Sequence, residues 1–176
     1  KYCDKNDFTS IGIIKALVVR VLITGVTGLV GQHIVERLSQ EKSLQLILLS
    51  NKRQSGYSCS TLQIDLNQKS AESLLVATAP ELIVHCAAKI PTATISAESA
   101  AKVNKNIDTL IYNVAEESGA DVIFISSIAL YENTLSPWSE VSLSRPTNIY
   151  AKQKLESEKL FSQLNSSSVS LRISSP

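Results

Sequence analysis

A doubly wound parallel α/β sheet is the fold class this sequence predicts, and three observations predict it. Short apolar, β-branched runs recur along the chain with helical patterns between them. The first of these runs opens directly into a glycine-punctuated turn followed by a helix. Pro80 and Gly119 then stop two of the later helical stretches where a compact α/β unit needs them to stop.

The elements follow in order. Residues 1–16 are read as an N-terminal tail, polar at first and leading into the first apolar run, and residues 17–176 as one domain. Leu17 to Ile23 is a buried-type strand, and Thr24 to Gly28 turns the chain into a helix that runs through Leu38. Leu44 to Leu49 is a second strand and Thr61 to Ile64 a third, followed by a short helix from Ala71 to Ala77. Leu82 to Cys86 is the fourth strand. The pattern from Ser96 to Ser118 is a long helix closed by Gly119, and Val122 to Ile125 is the fifth strand. Asn133 to Asn148, with Pro137 and Pro146, reads as a loop before a helix from Ile149 to Leu164 and a last strand from Val169 to Ile173.

Bulk properties exclude several functions. With 176 residues, 44% of them hydrophobic and 19% charged, the chain suits one soluble domain with a real core. A net charge of +1 and scattered lysines give no electrostatic footprint for nucleic acid. Cys3, Cys59 and Cys86 are odd in number and far apart, with no neighbouring Cys or His at metal-binding spacing, so no metal site is expected. Free thiols point to a reducing, cytoplasmic setting. The apolar run from Ile11 to Ile23 is interrupted by Lys15 and Arg20, and that from Leu44 to Leu49 is too short to span a bilayer. The sequence contains no Met, and is therefore read as lacking its initiator.

Two motifs carry chemistry. Gly25-Val-Thr27-Gly28-Leu29-Val30-Gly31 lies between a strand and a helix, where glycines permit a tight turn and free helix N–H groups face an incoming pyrophosphate. This is a dinucleotide-binding arrangement. Tyr150 and Lys154 lie four residues apart, on one face of a helix, so an ammonium stands near a phenol. A nearby cation favours phenolate, which suits proton exchange with a sugar or alcohol oxygen.

The Thr-Gly-x-x-Gly-x-x-Gly turn and the Tyr-x-x-x-Lys pair, in that order, resemble the extended branch of the short-chain dehydrogenase/reductase superfamily, the NAD(P)-dependent sugar epimerases and dehydratases. Ser126-Ser127-x-x-x-Tyr131, Asp65-Leu66, His85-Cys86-Ala87-Ala88 and Leu171-Arg-Ile173 are similar to further segments of that family. The resemblance implies a Rossmann fold whose smaller C-terminal substrate domain is largely missing here. It implies a catalytic set of Ser127, Tyr150 and Lys154, and a cofactor wall formed by Gly25, Thr27, Gly28, Leu29, Val30, Asp65, Leu66, Cys86, Ala87 and Ala88. His85 is read as a packed residue with no proton to transfer. Asn104 falls in the register of the family's structural Asn, with Asn106 as its rival. No acidic residue follows the second strand, where a ribose 2′-hydroxyl is usually held, whereas Lys52 and Arg53 could neutralise a 2′-phosphate, so NADP is favoured over NAD.

The reading that follows is an NAD(P)-dependent oxidoreductase or epimerase acting by hydride transfer on a sugar, with a nucleotide sugar as small-molecule substrate. Lys154 is expected to lower the pKa of Tyr150 and hold the nicotinamide ribose. Ile128-Ala129 lacks the acids that dehydratases carry after the catalytic Ser or Thr, which leaves epimerisation or reduction. A reductase of a non-sugar carbonyl, a non-catalytic NADP sensor and a structural module stay open as alternatives, as does a homodimer through the two long helices.

Overall fold

The computed structural model describes residues 18–51, 59–68, 70–131 and 137–174. The tail and the Lys52–Arg53 pair lie outside them. Along the chain run β1 (Val19–Thr24), α1 (Leu29–Leu38), β2 (Leu44–Ser50), β3 (Ser60–Gln63), α2 (Ala71–Val76), β4 (Leu82–His85), α3 (Ala97–Ser118), β5 (Asp121–Ser127), a 3₁₀ turn (Ile128–Tyr131), α4 (Ile149–Phe161) and β6 (Ser168–Ile173). The strands pair in parallel in the order β3-β2-β1-β4-β5-β6. This is the doubly wound arrangement, and its strand order reverses between β1 and β4, which leaves a crevice beyond their C-terminal ends.

Alternating residues of each central strand go to opposite faces of the sheet. Leu22, Ile47, Leu49 and Ile83 join Ile107, Ile111, Val114 and Phe161 of α3 and α4 in one core. Val21, Ile23, Leu46, Leu48 and Val84 join Val35 of α1 in the other. Being apolar on both faces is what makes these strands read as unbroken hydrophobic runs. Each large side chain buried in this way contributes roughly 1.5–3 kcal/mol.

Local chemistry sets the helix ends. Ser96 caps α3 by accepting the Ser99 N–H at 3.2 Å, and Asn148 caps α4 by accepting the Ala151 N–H at 2.8 Å. Gly119 closes α3 with φ of 67°. Two differences from the sequence expectation bear on the site. α4 ends at Phe161, and the chain tightens into a turn in which the Leu164 N–H donates to the Phe161 carbonyl at 3.2 Å. The 3₁₀ turn after β5 has no counterpart in that expectation; it forms because the Ser127 hydroxyl accepts the Ala129 N–H at 3.1 Å.

Gly25 and Gly119 both have positive φ but differ in surroundings. A Cβ on Gly25 would lie 2.6 Å from the Ala87 backbone nitrogen, whereas one on Gly119 would meet nothing within 4 Å. Gly119→Ala should therefore cost about 1 kcal/mol of unfolding free energy in urea titration, the backbone term alone. Gly25→Ala should cost clearly more, about 3 kcal/mol or loss of folding, because the ends of β1 and β4 must also separate.

Candidate functional site

The crevice at the C-terminal ends of β1, β2 and β4 holds a cleft of about 470 Å³. Gly25, Thr27 and Gly28 form one wall, Asp65 and Leu66 a second, and the chain from Cys86 to Lys89 a third. The glycines divide the work. Gly25 gives the left-handed turn, and Gly31 packs the helix onto it, since a Cβ there would collide with the Gly25 carbonyl oxygen. Gly28 is the one with open space around it: its Cβ would meet only that same oxygen, at 3.4 Å. Leu29 and Val30 begin α1, so the cleft faces the N-terminus of a ten-residue helix and its unshared N–H groups.

Asp65 accepts the Asn67 backbone N–H at 3.0 Å and its side-chain amide at 3.1 Å, both on Oδ1. These bonds hold its carboxyl below the usual carboxylate range. It stands at the cleft wall as a hydrogen-bond acceptor. Beneath the opposite wall the buried Thr24 hydroxyl accepts the N–H groups of Cys86 at 3.1 Å and Ala87 at 3.0 Å, which ties the end of β1 to the end of β4. Burial pushes the Cys86 thiol up to about 11, with Lys154 opposing.

The second part of the site lies where β5 ends and α4 begins. Asn148 starts the helix, and Tyr150, half-buried, projects from its first turn to meet the Ser127 hydroxyl. Ser127 thus caps the 3₁₀ turn and touches the phenol at once. Lys154, 4% exposed, donates to the Ile125 carbonyl at 2.8 Å and stands 4.4 Å above the centre of the Phe124 ring. Burial lowers its pKa, and the negative charge of Asp108 is the main opposing influence.

One expectation needs correction. Tyr150 is not lowered by Lys154: burial pushes the phenol above its ordinary value, and the bond to Ser127 is what opposes it. The ammonium is turned to the Ile125 carbonyl and the Phe124 ring instead.

Asn104 is not a cleft-lining residue. Its side chain accepts the Lys89 N–H at 2.5 Å and donates to the Lys89 carbonyl at 3.0 Å, so it shapes the rim. The sequence reading missed what lies behind it. His85 is packed, as expected, between Thr24 and Asp108, and the Asp108 carboxylate also receives Gln153 and Ser157. Asn104/Asp108 and Gln153/Ser157 are polar pairs at helical spacing on the buried faces of α3 and α4. That interruption of an apolar stripe was the available signal.

Farther out, Arg172 of β6 grips Glu158 of α4 with two bonds, at 2.9 and 2.7 Å, and donates to the Tyr131 hydroxyl at 2.7 Å. Tyr131 stacks on Trp138 at 5.5 Å beside a second hollow that Glu140 also lines. Among the described residues the exposed large apolar side chains include Trp138, Val141, Leu143, Val169 and Leu171, and none is on α3 or α4, the helices suggested for a dimer. No group of three His, Cys, Asp or Glu among the described residues is placed to hold a metal ion. No helix among them is long and apolar enough to cross a membrane.

The strand order, the glycine turn and the Ser127–Tyr150–Lys154 grouping define a Rossmann-like domain of the extended short-chain dehydrogenase/reductase class. Residues 19–175 match the RmlD substrate binding domain, and the chain belongs to that family. Its fold is similar to that of ADP-L-glycero-D-manno-heptose-6-epimerase from Helicobacter pylori, with TM-score 0.78 and 24% identity over 89% of this chain and 55% of that one. It is likewise similar to UDP-glucose 4-epimerase from Thermus thermophilus in complex with NAD, with TM-score 0.75 and 27% identity over 88% of this chain and 54% of that one. Methionine adenosyltransferase 2 subunit beta of Xenopus laevis is 29% identical over 156 residues, 88% of this chain and 46% of its own. The chain spans about half the length of the curated relatives it matches.

The raised Cys86 pKa gives a direct check on the cleft wall. With the thiol near 11 instead of 9, the thiolate is scarce at neutral pH. Alkylation of Cys86 by iodoacetamide, followed by peptide mass spectrometry, should run about a hundredfold slower at pH 8 than in an unfolded peptide, and accelerate only on the alkaline side.

Proposed function

We propose that this protein binds a nicotinamide dinucleotide, NADP in preference to NAD, and directs hydride transfer to or from a sugar, the sugar being carried on a nucleotide. The observation that carries the reading is the hydrogen bond between the Tyr150 phenol and Ser127, one helical turn from Lys154, whose charge acts on Cys86 at the cleft wall. The cleft suits the dinucleotide on three counts. Gly28 leaves room for a pyrophosphate at the start of α1, Asp65 presents an acceptor for an adenine amino group, and the chain from Cys86 to Ala88 offers an extended wall.

The dinucleotide supplies the hydride donor or acceptor. The protein supplies the proton and its placement. Because burial holds Tyr150 in its acid form, the phenol suits delivery of a proton to a carbonyl oxygen as that oxygen gains charge. Ser127 stands beside it to donate to the same oxygen. Lys154, fixed by Ile125 and Phe124 one helical turn along, offers its ammonium as a donor for the ribose. Epimerisation and simple reduction both use this set. Ser50 and Asn51, which line the cleft at the end of β2, place no carboxylate against a 2′-phosphate, and Lys52 and Arg53, outside the described residues, follow them in the sequence as candidate counter-charges.

A second reading is a subunit that binds the dinucleotide without turning it over. The Xenopus laevis relative, whose name is that of a methionine adenosyltransferase subunit, favours it. Turnover separates the two. Assayed as the full-length protein with NADPH and a panel of keto and hydroxy nucleotide sugars, Tyr150→Phe should lose about a thousandfold in rate while dinucleotide affinity stays within about threefold. A wild-type protein that binds NADPH yet turns over no member of the panel would favour the subunit.

The pH profile gives an independent check. The acid form of Tyr150 is the active form for reduction, and its pKa lies above the ordinary phenol value. The reductive rate should be flat from about pH 6 to 9 and fall at higher pH as the phenol ionises. A rate that climbs across that range would contradict the assignment.

A further inference from the structure

A buried chain of hydrogen bonds runs from the cleft wall to the catalytic helix, and its polarity is fixed by counting hydrogens. The Thr24 hydroxyl accepts two backbone N–H groups, from Cys86 and Ala87, which fills its lone pairs and leaves its single hydrogen for the Nδ1 of His85, 2.7 Å away. His85 therefore accepts at Nδ1, carries its hydrogen on Nε2 and donates it to Asp108 Oδ1 at 2.8 Å. The other oxygen of Asp108 receives the Gln153 amide at 2.7 Å and the Ser157 hydroxyl at 2.5 Å. All the partners point donors at Asp108, which is 2% exposed, so the position calls for an acceptor-only group with two oxygens.

The chain of bonds closes on itself at the cleft. Gln153 keeps its carbonyl oxygen for the Asn104 amide, at 3.4 Å, and Asn104 holds the backbone of Lys89. Cys86, Ala87 and Lys89 all line the cleft, and Gln153 sits next to Lys154 in the sequence. Helix α4 is thus bolted to one cleft wall at two points, with Asp108 and Gln153 as the shared members.

We propose that Asp108 is a positioning residue that couples the dinucleotide cleft to the catalytic helix: through His85 it sets the grip of Thr24 on Cys86 and Ala87, and through Gln153 and Ser157 it sets the register from which Tyr150 and Lys154 project. This rests on the cleft being a dinucleotide site. The polarity makes it specific to a carboxylate. An Asn at 108 can accept from His85 only by turning its own amide hydrogens toward the Gln153 amide. Gln153 can accept them only by reversing its amide and releasing Asn104. A reversed His85 would break with Thr24.

The same donors and acceptors dictate a compensating pair of substitutions. In Asp108→Asn combined with Gln153→Glu, the new carboxylate at 153 accepts from Asn at 108, from Asn104 and from Ser157, while the carbonyl of Asn at 108 accepts from His85. The buried charge is kept and every donor finds an acceptor. NADPH affinity is measured by fluorescence titration of the full chain well below each variant's melting transition, so that stability and affinity are read separately. Asp108→Asn should weaken NADPH binding about tenfold or more, and the Asp108→Asn/Gln153→Glu pair should return to within about threefold of wild type. Unchanged affinity in a folded Asp108→Asn protein overturns the coupling. If the single variant does not fold, the pair carries the test: a pair that folds and binds supports the proposal, and one that is equally unfolded or equally weak overturns it. A wild-type chain that binds no NADPH overturns the dinucleotide reading itself, together with the coupling that rests on it, and is distinguished from failure of the coupling alone by that control.

Discussion

The close approach of β1 to β4 at their C-terminal ends governs everything functional in this structure. Thr24, the last residue of β1, is fully buried and uses its hydroxyl to hold the two N–H groups that follow β4, which a parallel ladder would leave without partners at the point where the strand stops. Gly25 comes next, and its missing side chain lets the turn approach Ala87, whose backbone nitrogen would lie only 2.6 Å from a Cβ at this position. From these adjoining strand ends the chain leaves in opposite directions, toward β2 on one side and β5 on the other. The cleft is the space between those departures.

The placement of Ser127, Tyr150 and Lys154 depends on the same junction through the helices. α4 packs over β5, and its buried polar face meets α3 through Asp108, so the side chains that face inward at the site are held by hydrogen bonds with fixed donors and acceptors. A buried carboxylate with its partners satisfied narrows the allowed registers of two helices more strongly than apolar packing would, since a one-residue slip would strand several polar groups without water. The distribution of exposed apolar side chains fits this division of the molecule: α3 and α4 are polar outside, whereas the Trp138 loop and β6 keep Val141, Leu143 and Leu171 in solvent.

Much of this was legible in the sequence because it rests on local patterns. Strands buried on both faces read as apolar runs, Gly119 and Ser96 marked both ends of α3, and the glycine turn and Asp65 lie at the cleft that the strand ends form. What was not legible depends on contacts between distant residues. Whether Lys154 faces the phenol is decided by the Ile125 carbonyl and the Phe124 ring on β5, which helical spacing alone does not report. Asn104 was placed by register and holds the Lys89 backbone, and Asp108, which helical spacing did not single out, sits among Gln153, Ser157 and His85. The 3₁₀ turn after β5 arises from one serine hydroxyl, a choice between competing local bonds.

The crevice between β1 and β4 is proposed to take a nicotinamide dinucleotide with its reactive end toward Tyr150. Isothermal titration of the full chain with NADPH and with NADH tests it most directly. The account predicts saturable binding at one site per chain, tighter for NADPH. Absence of binding by either dinucleotide would contradict the account, and clearly tighter binding of NADH would contradict the assignment of Arg53 to a 2′-phosphate.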